Sequence, residues 1–170
     1  MVVYREFVAV AHRIVWCTVA TVDRRNRPRS RILHPIWAHP PEDDDEPVGW
    51  ITTRPTPLKV AHLGHTPYVS CSYWDGTHDV AVAECHAEWV EDTAVKRHAL
   101  ELFRAAPEPL GHDPGRIWPD GPEDPDAGVL RLSPWRLRVA GMETLLGRAA
   151  PLVWQAPDAA PRPRPRAALP

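Results

Sequence analysis

The chain has 170 residues, enough for one domain with a sizeable hydrophobic core. Its formal net charge of −2 gives no electrostatic basis for binding nucleic acid or an anionic membrane. Its three cysteines form no C-x-x-C pair, which is typical of a reduced, cytoplasmic protein without disulfides.

The order of apolar patterns and turn residues predicts strands interrupted by three helices. The first half comprises a helix at 3–13, strands at 14–22, 29–37 and 48–53, and a helix at 57–64. The second half comprises strands at 67–74 and 79–90, a helix at 93–105, and a final strand or bent pair at 128–140, interrupted at Pro134.

This element order predicts the fold class. Hairpin-linked strands with inserted helices indicate a mainly β protein, built on a closed or nearly closed antiparallel barrel of about six strands. We expect residues 1–150 to form this domain. The Pro/Arg/Ala-rich segment 151–170 predicts a disordered tail.

The junction between the third strand and the second helix is a candidate anion site. The strand ends at Thr52-Thr53, Thr56 suits the N-cap, Pro57 the first helical position, and Lys59 the first turn. Free N–H groups and the positive end of the helix dipole favour an anion there, and phosphate is the leading biological candidate. The alternative is an ordinary capped helix with a solvated lysine.

Two arginines on the neighbouring hairpin strengthen the phosphate hypothesis. Arg29 and Arg31 share a face of the second strand, because side chains alternate along a strand. Two guanidinium groups near Lys59 could clamp a phosphate through paired hydrogen bonds. The alternative is an arginine-rich, exposed hairpin end.

Several short motifs, in this order, resemble one known superfamily. They are Pro28-Arg29-Ser30-Arg31 with Trp37, Trp50-Ile51-Thr52-Thr53, Lys59-Val60 with Leu63, and Pro67 with Val69. Together they resemble the pyridoxamine-phosphate-oxidase-like, FMN-binding split-barrel superfamily over about residues 5–140, in an uncharacterised actinobacterial-type branch.

The resemblance implies a six-stranded antiparallel split barrel and a homodimer with FMN in clefts between the subunits. It implies an oxidoreductase acting on an unknown small molecule. The flavin-contacting positions that it implies are Arg31, Thr52 and Lys59 at the phosphate, Ile51 by its backbone, Ser30 and Thr53 as further candidates, and Trp74, Asp79 and Trp118 on the partner side.

The chain also departs from the superfamily's namesake. Arg131-Leu132-Ser133 stands where pyridoxamine phosphate oxidases carry Arg-x-His, and Asp79 stands where they carry a glutamine. Vitamin B6 oxidation is therefore not expected. Two alternatives remain open: a reductase of the same superfamily that uses a deazaflavin cosubstrate, and a non-catalytic protein that binds flavin or haem.

Catalytic and metal-binding side chains are not evident in the sequence. A split barrel with a flavin needs no side-chain nucleophile, because the cofactor carries the redox chemistry. His62 and His65 have helical spacing and Cys85 precedes His86, but no set of three or four ligands has zinc-site spacing. We expect no metal.

Overall fold

An antiparallel sheet of eight strands makes up most of the structure, a computed structural model that describes residues 2–38 and 47–157. The strands are β1 (Cys17–Val22), β2 (Pro28–Leu33), β3 (Ile36–Trp37), β4 (Gly49–Thr53), β5 (Tyr68–Trp74), β6 (Val80–Trp89), β7 (Gly128–Ala140) and β8 (Leu152–Gln155). The α-helices are α1 (Val2–Ile14), α2 (Pro57–His65), α3 (Thr93–Ala105) and α4 (Met142–Leu145).

The strand order confirms the predicted split barrel. It runs β2-β1-β5-β6-β7-β4-β3, and β8 adds to β7. The two edge strands, β2 and β3, follow each other in the chain, so the sheet curves back on itself. The structure has eight strands and not six. One reason is that Pro35, which has no N–H to donate to a sheet, lies between β2 and β3.

Helix α1 packs in the curve of the sheet and forms the main core. Its buried face consists of Tyr4, Phe7, Val8 and Ala11, as the helical period predicts. The facing residues of β6 are small and buried: Ala81, Ala83, Cys85 and Ala87. Small side chains on the curved strand leave room for the large side chains of the helix.

A bulge keeps β7 continuous at Pro134, where we expected a break. Cys85 of β6 faces Pro134, whereas the preceding Glu84 faces Arg136. Trp135 is therefore the extra residue on β7, and the register shift accommodates a residue that cannot donate a backbone hydrogen bond.

The sheet continues past the boundary expected at residue 150. Strand β8 pairs with β7 from Val139↔Leu152 to Arg136↔Gln155, so an apolar segment follows α4 back onto the sheet. The rest of the predicted disordered tail, from residue 158, lies outside the described residues, as does the acidic segment 39–46 between β3 and β4. Within residues 2–38 and 47–157, no helix is long and apolar enough to cross a membrane.

Candidate functional site

The lysine of the predicted anion site reaches back to the strand before its helix. Lys59 Nζ donates a hydrogen bond to Thr53 Oγ1 at 2.5 Å and another to the Arg54 carbonyl oxygen at 2.7 Å. An ammonium group has three donors, so one N–H remains for a ligand. Thr56 occupies the N-cap position without a side-chain cap hydrogen bond. The first N–H groups of α2 are therefore not capped by that hydroxyl.

Arg31 is held beside this junction by a buried network that the sequence did not reveal. Its Nη2 donates to Thr21 Oγ1 at 3.1 Å, and the same hydroxyl lies 3.0 Å from Nδ1 of His62. Thr21 and His62 are 2 % and 3 % exposed. The network joins β1, β2 and α2, and it fixes the guanidinium while leaving its Nε and Nη1 donors without a hydrogen-bond partner among the described residues.

The charges of Arg31 and Lys59 are not neutralised by the part of the chain that the structure describes. Neither side chain has a carboxylate within 4.0 Å. Burial lowers the pKa of Lys59, and the charges of Arg31 and Arg54 lower it further. Burial and the charge of Arg29 lower the pKa of Arg31. An anion bound between these groups would favour their charged forms and so raise both pKa values. We call Arg31, Thr53 and Lys59 the cationic cradle.

A glycine allows the floor of the cradle to form. Gly128 at the start of β7 pairs with Thr53 at the end of β4. A Cβ at Gly128 would lie 2.5 Å from the Thr53 carbonyl oxygen and 2.8 Å from Cζ3 of Trp89. No larger residue fits there without moving the backbone that carries Thr53.

Three other residues that the sequence analysis assigned to the flavin, Ser30, Ile51 and Thr52, lie on β2 and β4, and their side chains have different orientations. Ile51 is buried in the main core, so only its backbone is available, and Thr52 is half-buried. Among the described residues, β3 pairs with β4 only at Gly49 and Trp50, which leaves the edge from Ile51 to Thr53 without a strand beside it. Ser30 is exposed and alternates with Arg31 on β2.

Trp74 and Asp79 lie together in a different part of the sheet. Trp74 ends β5 and is exposed, and Asp79 precedes β6. The Asp79 carboxylate accepts a hydrogen bond from Arg13 Nη2 of α1 at 2.6 Å. Among the described residues, no hydrogen bond or ion pair joins this pair to the cradle of the same chain.

Trp118 is enclosed by protein. Its side chain is 4 % exposed and packs with Leu100 of α3 and Ala127. Its Nε1–H is buried without a hydrogen-bond partner among the described residues. The indole therefore belongs to a small apolar cluster, separate from the main core.

The environments of His62 and the cysteines are those of residues that stabilise the fold. His62 contacts Thr21, and Cys17, Cys71 and Cys85 are buried free thiols. Within residues 2–38 and 47–157, no three His, Cys, Asp or Glu side chains cluster in a way that could hold a metal ion.

Solved structures with the same fold are described as pyridoxamine-phosphate-oxidase-related. A protein from Clostridium acetobutylicum, related to general stress protein 26 of B. subtilis and described as of the pyridoxinephosphate oxidase family, shares 15 % identity at a TM-score of 0.62. That alignment covers 91 % of this chain and 92 % of the other. A pyridoxamine 5'-phosphate oxidase-related, FMN-binding protein from Nostoc punctiforme shares 14 % identity over 81 % of this chain and 82 % of its own, at a TM-score of 0.55.

A third solved structure with a similar fold is described as a member of another protein family. A NimC/NimA family protein from Clostridium acetobutylicum shares 14 % identity, with a TM-score of 0.62, over 84 % of this chain and 90 % of the other. No protein-family model matches the chain, and no curated protein matches it in sequence. The chain therefore has the split-barrel fold of the pyridoxamine-phosphate-oxidase-like proteins, as its sequence motifs predicted.

Proposed function

We propose that the cationic cradle binds the phosphate of FMN and that the protein is an oxidoreductase acting on a small molecule. One observation carries the proposal: Arg31 and Lys59 are both half-buried, they lie near enough for the charge of Arg31 to lower the pKa of Lys59, and no carboxylate among the described residues neutralises them. Guanidinium, ammonium and hydroxyl groups are the donors that a phosphate dianion requires. A neighbour of the same fold is described as FMN-binding.

Each residue of the cradle has a distinct part in this proposal. Arg31 offers two hydrogen bonds from one plane, Lys59 supplies a point charge, and Thr53 holds the lysine in place. Thr52 and the open backbone edge beginning at Ile51 lie next along β4, where they can orient the attached ring system. Ser30 adds a hydroxyl on the other face of β2. A bound FMN would supply the electron or hydride transfer, and the chain would supply position and access.

The proposal includes a homodimer in which a second copy covers the flavin ring. The apolar side chains Ile32, Tyr68 and Trp74 are 61 %, 51 % and 63 % exposed, so a second copy could cover them. Trp74 and Asp79 of the second copy would then contact the ring from the partner side. Trp118, enclosed in its own cluster, contributes to the fold of α3 in this proposal.

Flavin content tests the proposal directly. Wild-type protein supplied with FMN and separated from free ligand should retain the yellow flavin absorbance. The double variant Arg31→Ala/Lys59→Ala should lose affinity for FMN by at least about a hundredfold, because each lost charge-assisted contact costs about tenfold or more.

The chain offers matched controls for this double variant. Lys96 is the only other lysine, and Arg5 is an exposed arginine of α1. The variant Arg5→Ala/Lys96→Ala removes the same charges and should bind FMN as the wild type does. Equal FMN retention by both double variants would contradict the proposal.

A second candidate rests on the charges around the cradle. Arg29 extends the positive field beyond Arg31 and Lys59, whereas Arg54 lies 3.8 Å from the Asp126 carboxylate. A wider positive field suits a larger anionic cosubstrate such as a deazaflavin. Protein that stays colourless with FMN but binds reduced deazaflavin would favour this candidate. Stable FMN binding would favour the first.

A further inference from the structure

A cavity of about 360 Å³ lies away from the cradle, where three pieces of the chain meet. These pieces are the end of β5, the turn that leads into β6, and the junction of β7 with α4. We call this cavity the Trp74 pocket, and its lining includes Trp74, His78, Val80, Arg138, Thr144 and Leu145. Its volume lies within the range of sites that hold small molecules.

The turn that forms one wall is held firmly. Asp75 Oδ1 accepts hydrogen bonds from the Thr77 backbone N–H at 2.9 Å and from the Thr77 hydroxyl at 2.6 Å. Arg13 of α1 bridges Asp75 and Asp79 at the two ends of the turn. His78 adopts the left-handed conformation, with φ 67°, which places its ring beside Trp74. The wall is therefore preorganised for a ligand.

A glycine brings the opposite wall close to this turn. Gly141 separates β7 from α4, and a Cβ there would lie 2.9 Å from Oδ1 of Asp79. The close approach places Thr144 and Leu145 of α4 over the cavity, next to the cross-strand row of Trp74, Val80 and Ala140.

Arg138 is the unpaired cation of the pocket. Two other arginines of β7 each face a glutamate of β6, Arg136 with Glu84 at 3.2 Å and Arg131 with Glu88 at 3.6 Å. Arg138 faces Val82 instead. Among the described residues it has no hydrogen bond and no ion pair. A half-buried guanidinium without a carboxylate is a receptor for an anionic group.

The remaining lining favours a flat, apolar ligand body. The exposed indole of Trp74 lies 6.3 Å from the His78 ring, between centroids, at an interplanar angle of 65°. Val80 and Leu145 add aliphatic surface, and Thr144 adds one hydroxyl. Aromatic rings stack well on indole, and a guanidinium binds a carboxylate through two parallel hydrogen bonds.

We propose that the Trp74 pocket binds planar aromatic carboxylates, with Arg138 at the carboxylate and Trp74 against the ring. The role of such a molecule as the substrate of the flavin chemistry rests on the proposed function. Its binding to the pocket is independent of that function, because the pocket residues other than Trp74 are not among those assigned to the flavin.

The test uses 2-naphthoate as the probe and 2-naphthamide as its neutral analogue, titrated calorimetrically into full-length protein with and without FMN. Wild-type protein should prefer the carboxylate by about tenfold or more. Arg138→Gln should abolish this preference while still binding the amide. Arg136→Gln is the matched control, because Arg136 is on the same strand and already paired with Glu84, and it should retain the preference.

Trp74→Leu should weaken the binding of both probes, since it removes the aromatic surface. Equal affinity of wild-type protein for the two probes, or a preference that survives in Arg138→Gln, would overturn the proposal, as would the absence of naphthoate binding. Naphthoate binding in protein that fails to bind FMN would support the pocket and contradict the proposed flavin function. FMN binding without naphthoate binding would support the proposed flavin function and overturn the proposal for the pocket.

Discussion

The cationic cradle and the Trp74 pocket both contain a half-buried cation with no carboxylate beside it, but their surroundings differ. At the cradle, burial and then the charges of Arg31 and Arg54 lower the pKa of Lys59, and hydroxyl groups complete the site. At the pocket, Arg138 stands alone beside an exposed tryptophan and aliphatic side chains. The first combination suits a compact, doubly charged group such as phosphate, and the second suits a single negative charge on an aromatic body.

The two sites also differ in how the backbone supports them. Gly128 brings β7 against the Thr53 carbonyl at the cradle, and Gly141 brings the end of β7 against the Asp79 side chain at the pocket. A backbone contact yields less readily than a contact with the end of a side chain. This difference makes the cradle the more fragile of the two sites.

Of the single substitutions that compare the two sites, Gly128→Ala is expected to have the largest effect. Gly128→Ala places a Cβ against the Thr53 carbonyl and the Trp89 ring, so it should destabilise the fold by about 2 kcal/mol and weaken FMN binding by about tenfold or more. Urea unfolding and FMN titration measure the two effects. Gly141→Ala is the comparison variant at the pocket, and it should weaken FMN binding less than Gly128→Ala does. Equal FMN losses in both variants would contradict the distinction between the sites.

A smaller effect is expected at Thr21. Thr21→Val removes the oxygen that accepts from Arg31 and leaves buried His62 without its partner, so it should cost about 1–2 kcal/mol of stability. FMN affinity should fall by about threefold to tenfold, because Arg31 remains but is no longer fixed. Thr18→Val, on the exposed face of β1, is the control. An unchanged FMN affinity in Thr21→Val would show that Arg31 does not need this support.

The smallest expected effect is a loss of stability at acidic pH, which arises at the turn beside the Trp74 pocket. Hydrogen bonds from Thr77, and then from Arg13, lower the pKa of Asp75 to about 2. The folded protein therefore binds fewer protons at this group than the unfolded chain, and the stabilisation present above about pH 4 is lost as the pH falls towards 2. Thermal melting should show this component in wild-type protein and lack it in Asp75→Asn. Parallel pH profiles for the two proteins would contradict it.

The sequence predicted the cradle better than the pocket for a physical reason. Thr53 and Lys59 are six residues apart, and a strand end followed by a capped helix start brings them together locally. Thr21 and His62 were missed because their contact depends on how α2 packs against β1, which no local pattern encodes. The Trp74 pocket depends on the register of β6 with β7 and on the position of α4, so its residues are scattered from 74 to 145.

In the fold, too, local patterns were predicted from the sequence and contacts between distant segments were not. Helix and strand periods predicted α1, β6 and α3, and they also predicted the buried faces of α1 and β6. The Asp92 side chain caps α3 by accepting from the Val95 N–H. The bulge at Trp135 and the pairing of β8 with β7 were not predicted, because both arise from contacts between distant segments.

The most direct test of the central claim compares FMN with riboflavin, which lacks the phosphate, in wild-type protein and in Arg31→Ala/Lys59→Ala. If the cradle binds the phosphate, wild-type protein should prefer FMN by about a hundredfold or more, and the double variant should bind both flavins with the same weak affinity. Equal wild-type affinities for FMN and riboflavin, or an undiminished preference for FMN in the double variant, would contradict the claim.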